Sequence, residues 1–114
     1  MSESEGLARE AAAGNAAAFG VLVRLNQSKL RGFLLRMTKG NHALADDLAQ
    51  ETFLEAFRKI GQYGNGSFFG WLCAIAYSRY LMEARKRKLE PHRQANHKTQ
   101  RQHLVLVRQY AALV

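Results

Sequence analysis

Apolar residues recur along the first ninety positions at spacings of three, four and seven, the spacing of one face of an α-helix. Gly14 followed by Asn15, and Gly40 followed by Asn41, interrupt this pattern with a helix-stop residue and a helix-start residue. A glycine-rich stretch at 62–66 interrupts it a third time. The pattern predicts four helices, near residues 4–13, 16–39, 42–60 and 67–88. The predicted fold class is all-α, a compact bundle of about four helices.

The phases of the apolar stripes also predict which side chains share the core. One core should contain Phe19, Val23, Phe33, Leu48, Phe53, Phe57, Leu72 and Ile75. A chain of 114 residues suffices for one small domain, and we expect it to occupy residues 1–90. Residues 91–114 begin at the only proline and are polar and basic to about residue 102, which predicts a linker or tail. Its last eleven residues are apolar enough for a short helix or strand.

The net charge of +8 is unevenly placed along the chain. Residues 1–60 carry eight basic and seven acidic side chains, whereas residues 61–114 carry nine basic and two acidic ones. This asymmetry favours a polyanionic partner, either a nucleic acid or an acidic membrane surface, with a solvated basic tail as the alternative. No apolar run is long enough to cross a bilayer, and no secretion signal is evident. A single cysteine fits a reducing compartment, so we expect a cytoplasmic protein.

The third predicted helix has two faces of different character. Asp47, Gln50 and Glu51 gather on a polar side, and Leu54 lies among them although water alone would not select it there. An acidic patch with one apolar residue suits a partner protein that carries arginines. An ordinary solvated helix face remains the alternative.

Aromatic and basic residues follow each other around the loop and along the fourth helix. The aromatic ones are Tyr63, Phe68, Phe69, Trp71, Tyr77 and Tyr80, and the basic ones are Arg79, Arg85, Lys86, Arg87 and Lys88. Aromatic rings beside cations are typical of single-stranded nucleic-acid binding, through stacking and phosphate attraction. Phe68 and Trp71 should nevertheless bury most of their surface. A solvated helix end is the alternative for the basic run, and a membrane contact lacks the flanking apolar face that it needs.

Catalytic and metal-binding patterns do not emerge from the sequence. His92, His97 and His103 could be considered with Cys73, but their spacing matches no common zinc pattern. A glycine-rich phosphate loop and a nucleophile–base constellation are both missing. We therefore expect no cofactor, no metal and no enzymatic activity, and we predict that the chemistry of the chain is binding.

Four segments, in order, resemble the extracytoplasmic-function group of the bacterial sigma factor family in its second conserved region. They are GNAAAF at 14–19, LRMTKGN at 35–41, DDLAQETFLEAF at 46–57, and GSFFGWL at 66–72 with Ile75 and Ala76. The resemblance covers about residues 7–88. It implies the helical bundle of that region, core RNA polymerase and promoter DNA as partners, and an anti-sigma factor as a further one.

The resemblance also implies roles for particular positions. Asp47, Gln50, Glu51 and Leu54 would dock on the clamp coiled coil of the largest polymerase subunit. The loop at 62–67 and the start of the fourth helix would hold a flipped base of the non-template strand, with Phe68 and Phe69 beside the pocket, while the basic helix follows the backbone. The implied DNA-binding residues are Ser67, Phe68, Phe69, Trp71, Ser78, Arg79, Arg85, Lys86, Arg87 and Lys88.

The sequence departs from the family pattern in its DNA-reading part. Phe69 stands where a basic residue is usual, Ser78 where asparagine is common, and Met82, which we place on the apolar stripe, where aspartate is common. Arg79 also falls on that stripe, so it must extend its charge to water, form an ion pair, or indicate that the helix is rotated.

Three hypotheses remain open at this stage. The first is a sigma factor domain that binds polymerase and recognises and melts the promoter −10 element. The second is a sigma-like interaction module that binds an anti-sigma factor with weak or no DNA binding, and the third is an unrelated basic helical domain that binds nucleic acid non-specifically. The family's second helical domain does not fit into residues 89–114, so we expect either an excised domain or a naturally short relative.

Overall fold

The computed structural model describes residues 3–87, which form four α-helices with no strand among them. The helices are α1 (Glu3–Ala12), α2 (Ala16–Met37), α3 (His42–Lys59) and α4 (Phe68–Arg87), and a short 3-10 helix, Ile60–Gln62, follows α3. The all-α prediction is confirmed, and each described helix end lies within two residues of its predicted place. Lys88 and the predicted tail at 91–114 lie outside the described residues.

The two glycine–asparagine pairs end one helix and begin the next, as predicted. Gly14 and Gly40 have φ angles of +111° and +84°, which a residue without a Cβ adopts at little cost. Asn15 and Asn41 are the N-caps of α2 and α3. Each side-chain oxygen accepts a hydrogen bond from the backbone N–H three residues later, at 3.3 and 3.0 Å. Local sequence therefore accounts for both reversals of the chain.

The N-terminus of α4 is capped from two directions. Ser67 Oγ accepts a hydrogen bond from the Gly70 N–H at 2.9 Å, as expected of a local N-cap. The Phe68 N–H donates instead to the carboxylate of Glu5, at 2.9 Å, across 63 residues of sequence. Glu5 is buried, and its negative charge lies where the dipole of α4 favours it. α1 is therefore fastened to α4 by a specific polar contact as well as by packing.

The core lies where all four helices meet. Its largest fully buried apolar side chains are Phe33, Phe68, Phe69, Leu22, Leu30, Leu34, Leu48 and Leu72. Phe19, Phe33, Leu48 and Leu72 are buried as predicted, and Val23, Phe53 and Ile75 are partly buried and pack against this core. The prediction of one shared core is confirmed for these seven residues.

Phe57 is the exception, and its predicted place in the core is wrong. α3 turns the stripe that contains Leu48, Thr52 and Ala56 toward the bundle. Phe57 follows Ala56 by one position, about 100° further around the helix. Its side chain is 52% exposed, and its ring meets the edge of Phe19 with 5.2 Å between ring centroids. An aromatic ring consequently lies on the surface beside α2.

α4 buries a stripe that is turned around the helix from the one its sequence predicts. The buried members are Phe68, Phe69, Leu72, Cys73, Ala76, Tyr80 and Ala84. The prediction for Met82 is wrong, because this residue is 51% exposed. It lies with Ser78 and Arg79 on the side of α4 that borders a groove shared with α3.

We predict that replacing Glu5 with alanine destabilises the domain by about 1–2 kcal/mol, because the buried Phe68 N–H loses its acceptor. The free energy of unfolding from denaturant titration measures the effect. Glu10→Ala, a similar truncation at an exposed site on the same helix, should change it by only about 0.5 kcal/mol. Equal denaturation midpoints for the two variants would contradict this role of Glu5.

Candidate functional site

The acidic face predicted for α3 is exposed. Asp47, Gln50, Glu51 and Leu54 all lie on the surface, and the Leu54 side chain is 56% exposed. A leucine that remains open to water among charged neighbours contributes little to the stability of its own fold. The arrangement is typical of a surface that a partner protein covers.

A groove with a volume of about 720 Å³ runs between α2 and α3 beside this face. Its apolar lining consists of Phe19, Val23, Ala49, Phe53, Leu54 and Phe57, and its polar lining includes Asp46, Asp47 and Gln50. Of the four residues predicted to bind a partner protein, three line this groove: Asp47, Gln50 and Leu54. The sequence did not predict that α2 forms one wall of this groove. The apolar pattern assigned Phe57 to the core, and it does not show how two helices pack against each other.

The lining of this groove includes an ion pair between α2 and α3. Arg31 Nε lies 2.6 Å from Asp46 Oδ1, and Arg31 Nη2 lies 3.0 Å from His42 Nδ1. The hydrogen bond from the Arg31 guanidinium lowers the pKa of Asp46, so this carboxylate stays ionised at neutral pH. Both side chains of the pair are about half exposed, so it contributes more to geometry than to stability.

A second groove, of about 390 Å³, lies between α3 and α4 on the other flank of α3. It is lined by Glu55 and Lys59 from α3 and by Trp71, Ala74, Ile75, Ser78, Arg79 and Met82 from α4. Trp71, Ser78 and Arg79, three of the predicted DNA-binding residues, are brought together here. The groove combines apolar walls with both signs of charge.

Glu55 is the centre of the charge in this groove. Its Oε1 accepts a hydrogen bond from Arg79 Nη2 at 2.7 Å, and its Oε2 lies 2.7 Å from Lys59 Nζ. Arg58 Nη1 approaches Oε1 more distantly, at 3.4 Å. The hydrogen bonds from Lys59 and then from Arg79 lower the pKa of Glu55. Of the three possibilities for Arg79, the structure shows an ion pair across the two helices.

Phe68 and Phe69, which were predicted to lie beside a base pocket, expose no surface to a base in this structure. Both side chains are fully buried, because the first turn of α4 packs inward against α1 and α2. The Phe68 ring lies 5.7 Å from the Trp71 ring, and the Phe69 ring lies under Lys29 Nζ at 5.0 Å. Trp71 alone of these aromatic residues keeps part of its surface open.

The loop at 62–67 is anchored by Tyr63. The hydroxyl of Tyr63 donates a hydrogen bond to the Gly66 carbonyl at 2.5 Å, and its ring packs edge-on against Phe68 and Trp71 at 5.8 and 5.6 Å. Burial, and then the nearby negative charge of Glu5, raise the pKa of Tyr63, so the donor stays protonated. The loop is therefore held to the core at one point while its glycines remain exposed.

The basic end of α4 is exposed and partly neutralised. Arg87 Nε lies 2.6 Å from Glu83 Oε2, and Lys86 Nζ lies 3.9 Å from Glu83 Oε1. Within residues 3–87, Arg85 has no ion-pair partner. Arg85 can therefore bind an anion without breaking an ion pair. Lys88, the last predicted member of the basic run, lies outside the described residues.

Residues 3–87 give little support for thiol reactivity, metal binding or membrane crossing. Cys73 is buried, and burial raises the pKa of its thiol to about 12, so it is a core residue and not a reactive one. No three histidine, cysteine or acidic side chains come together as a metal site in this range, and the three histidines considered above lie beyond it. None of its helices has the length and apolarity that a bilayer crossing requires.

Comparison with known proteins gives a consistent picture. The profile of the Sigma-70 region 2 family matches residues 22–90. The chain is 43% identical over 58 residues to the ECF RNA polymerase sigma factor SigM of Bacillus subtilis, covering 51% of this chain and 35% of that protein. It is 38% identical over 66 residues to the ECF RNA polymerase sigma factor SigE of Mycolicibacterium smegmatis, covering 58% and 25%.

A third relative is the RNA polymerase sigma factor CarQ of Myxococcus xanthus, 45% identical over 60 residues, which cover 52% of this chain and 34% of that protein. The matches thus span about a third or less of the length of these curated relatives. No solved structure matches the chain significantly.

We predict that Glu55→Gln lowers the melting temperature at pH 7 and that the difference from the parent narrows as the pH falls below about 4.5. The folded state depresses the pKa of Glu55 from its usual 4.5. The ionised Glu55 carboxylate therefore stabilises the folded state above that pH, and this stabilisation is lost as protonation removes the charge. Melting curves between pH 3 and 8 measure the difference, which salt should also reduce because the site is partly exposed. A difference that stays constant across this range would rule out the ion pair as its source.

Proposed function

Because the chain belongs to the Sigma-70 region 2 family, we propose that it acts in transcription initiation as the part of an ECF-type sigma factor that binds core RNA polymerase and recognises and melts the promoter −10 element. The observation that carries this proposal is the pair of unlike grooves that flank α3. One is apolar with an acidic rim, as suits a protein partner, and the other has an aromatic wall beside paired charges of both signs and lies on the helix that ends in exposed cations, as suits a nucleic acid.

The polymerase would bind at the groove between α2 and α3. Leu54 and Phe57 offer exposed apolar surface, and Asp47 lines the same groove. Glu51 adds negative charge outside the groove, on the exposed face of α3 three residues before Leu54. A helix that carries both arginines and apolar residues would satisfy both features, which fits the clamp coiled coil of the largest polymerase subunit. Buried apolar contact would supply most of the affinity, while the acidic residues set the register and the rate of association.

The promoter strand would bind at the groove between α3 and α4. Since Phe68 and Phe69 are buried, the base pocket would be formed by Trp71, Ile75 and Ser78, which line this groove. Removing a base from its stack costs a few kcal/mol, which a preformed groove and phosphate contacts must offset. The exposed cations further along α4 would supply those phosphate contacts.

The second candidate function is the binding of an anti-sigma factor. The exposed apolar surface between α2 and α3 would suit an amphipathic helix from such a protein as well as it suits polymerase. Ser78 and Met82, which depart from the family pattern, both line the groove proposed for DNA. If that groove fails to hold a base, the domain would be a sigma-like interaction module instead. Either function places the protein in the cytoplasm.

We predict that Glu51→Arg weakens binding to core polymerase by roughly thirtyfold, corresponding to about 2 kcal/mol for a charged interface contact. The free energy of unfolding should change by only about 0.5 kcal/mol, because the residue is exposed and away from the core stripe. Glu10→Arg makes the same charge change on α1 and should leave polymerase affinity as it is. Parent-like binding by the Glu51→Arg protein would show that the polymerase face is assigned to the wrong surface.

We predict that replacing Arg85 and Lys86 together with alanine flattens the salt dependence of binding to bubble DNA. If about three cations contact phosphates of a single strand, the log–log slope is near −2, at roughly −0.7 for each contact. The double change should remove about two contacts and weaken all sequences alike, because phosphate contacts position the strand without reading it. Affinity is measured over a salt series with the polymerase-bound protein, since polymerase holds the domain against DNA.

The control for this measurement is the double change Arg9→Ala and Arg24→Ala, which removes equal charge from exposed positions of α1 and α2. Identical slopes for the two double variants would argue against a phosphate contact at the end of α4. If, in addition, duplex and bubble templates bind equally well, the interaction-module function becomes the better one.

A further inference from the structure

A smaller cleft lies between the first half of α3 and the end of α4. Its volume is about 220 Å³. At about 30 Å³ for each water molecule, this is the space of roughly seven waters, which is room for the charged end of one long side chain. The lining consists of Leu44, Asp47, Leu48, Gln50 and Glu51 from α3 and of Glu83 and Arg87 from α4.

This cleft continues the acidic face of α3. Asp47 and Glu51 are four residues apart, so they lie on one side of the helix, and both line the cleft. They also belong to the surface proposed to bind polymerase. Glu83 and Arg87 line the same cleft from α4. A partner protein that covers the acidic face of α3 would therefore also contact the end of α4.

The charges in the cleft do not balance. Its lining contains three carboxylates and one guanidinium. Arg87 Nε lies 2.6 Å from Glu83 Oε2, whereas no ion pair within residues 3–87 involves Asp47 or Glu51. Two negative charges thus remain for a partner to neutralise. Charge complementarity favours a partner that brings a basic side chain to this place.

Arg87 shows which chemical group the cleft accepts, because a guanidinium of the chain itself is already held there by Glu83. The Arg87 side chain is 46% exposed and that of Glu83 is 20% exposed. An ion pair at such an exposed position contributes little to stability. A basic side chain from a partner protein can therefore replace Arg87 without unfolding the end of α4.

We propose that the polymerase-binding surface extends from α3 onto the end of α4, and that a basic side chain of the polymerase enters the cleft and replaces Arg87 as the partner of Glu83. The inference rests on the proposed function, since it requires that polymerase bind the acidic face of α3. Glu83 is then a specificity-determining residue for the polymerase, and Arg87 is an internal competitor for it. Such charge pairs fix the register in which two proteins bind.

The test measures the affinity of the full chain for core polymerase in the absence of DNA. Glu83→Gln keeps the shape of the side chain and removes its charge. It should weaken binding about tenfold, because a cation of the polymerase loses its partner. Glu10→Gln makes the same change at an exposed position of α1 and should leave the affinity as it is.

Arg87→Ala gives the more specific result, because this truncation should strengthen binding. Removing the competitor frees Glu83, and the gain should be roughly threefold, in keeping with the modest strength of an exposed ion pair. When Arg87→Ala is combined with Glu83→Gln, the gain should disappear, since there is no longer a charge to compete for. Arg9→Ala, which removes an exposed arginine from α1, should leave polymerase affinity unchanged.

The outcomes separate the inference from the proposed function. A gain from Arg87→Ala that depends on Glu83 supports the exchange of partners in the cleft. An equal gain with and without Glu83 would reflect general charge attraction and overturn the inference, as would parental affinity in a Glu83→Gln protein whose melting curve shows that it is folded. In these cases the polymerase face of α3 still stands if Glu51→Arg weakens binding. If Glu51→Arg also binds like the parent, the proposed polymerase face and the inference fail together.

Discussion

The packing of α3 along a narrow stripe of mostly small residues is the constraint on which the rest of this structure depends. Ala45, Thr52 and Ala56 are fully buried there, with Leu48 as the main bulky member. Because its buried side chains are mostly small, α3 packs closely between α2 and α4. The two sides of α3 next to this buried stripe remain exposed. Each flank forms one wall of a groove, and the two grooves acquire different chemistry from the helices opposite.

Polar contacts between helices hold these grooves in shape. Arg31 and Asp46 form an ion pair in the lining of the groove between α2 and α3, and Glu55 and Arg79 form one between α3 and α4. Each pair is partly exposed, so its contribution to stability is modest. Their value lies in geometry, because a site that binds a flat base or a partner helix needs side chains that are already oriented.

The aromatic cluster divides into structural and accessible members. Tyr63, Phe68 and Phe69 are buried and anchor the loop and the first turn of α4, whereas Trp71 retains exposed surface. The carboxylate of Glu5 completes the anchor by accepting the Phe68 N–H. α1, which contributes to neither groove, thereby helps to hold the element proposed to bind DNA.

The helical fold class, the helix ends, the two asparagine caps and the exposed acidic face of α3 could be predicted from the sequence, because these depend on interactions within a few residues. Packing between helices places Phe57 on the surface and Phe69 in the core, and it pairs Arg79 with Glu55. The physical reason is that periodicity specifies a helix's apolar side only to within about one position, or 100°. Contacts across 24 and 63 residues, such as those of Glu55 and Glu5, depend on how helices rotate against one another, which no local pattern encodes.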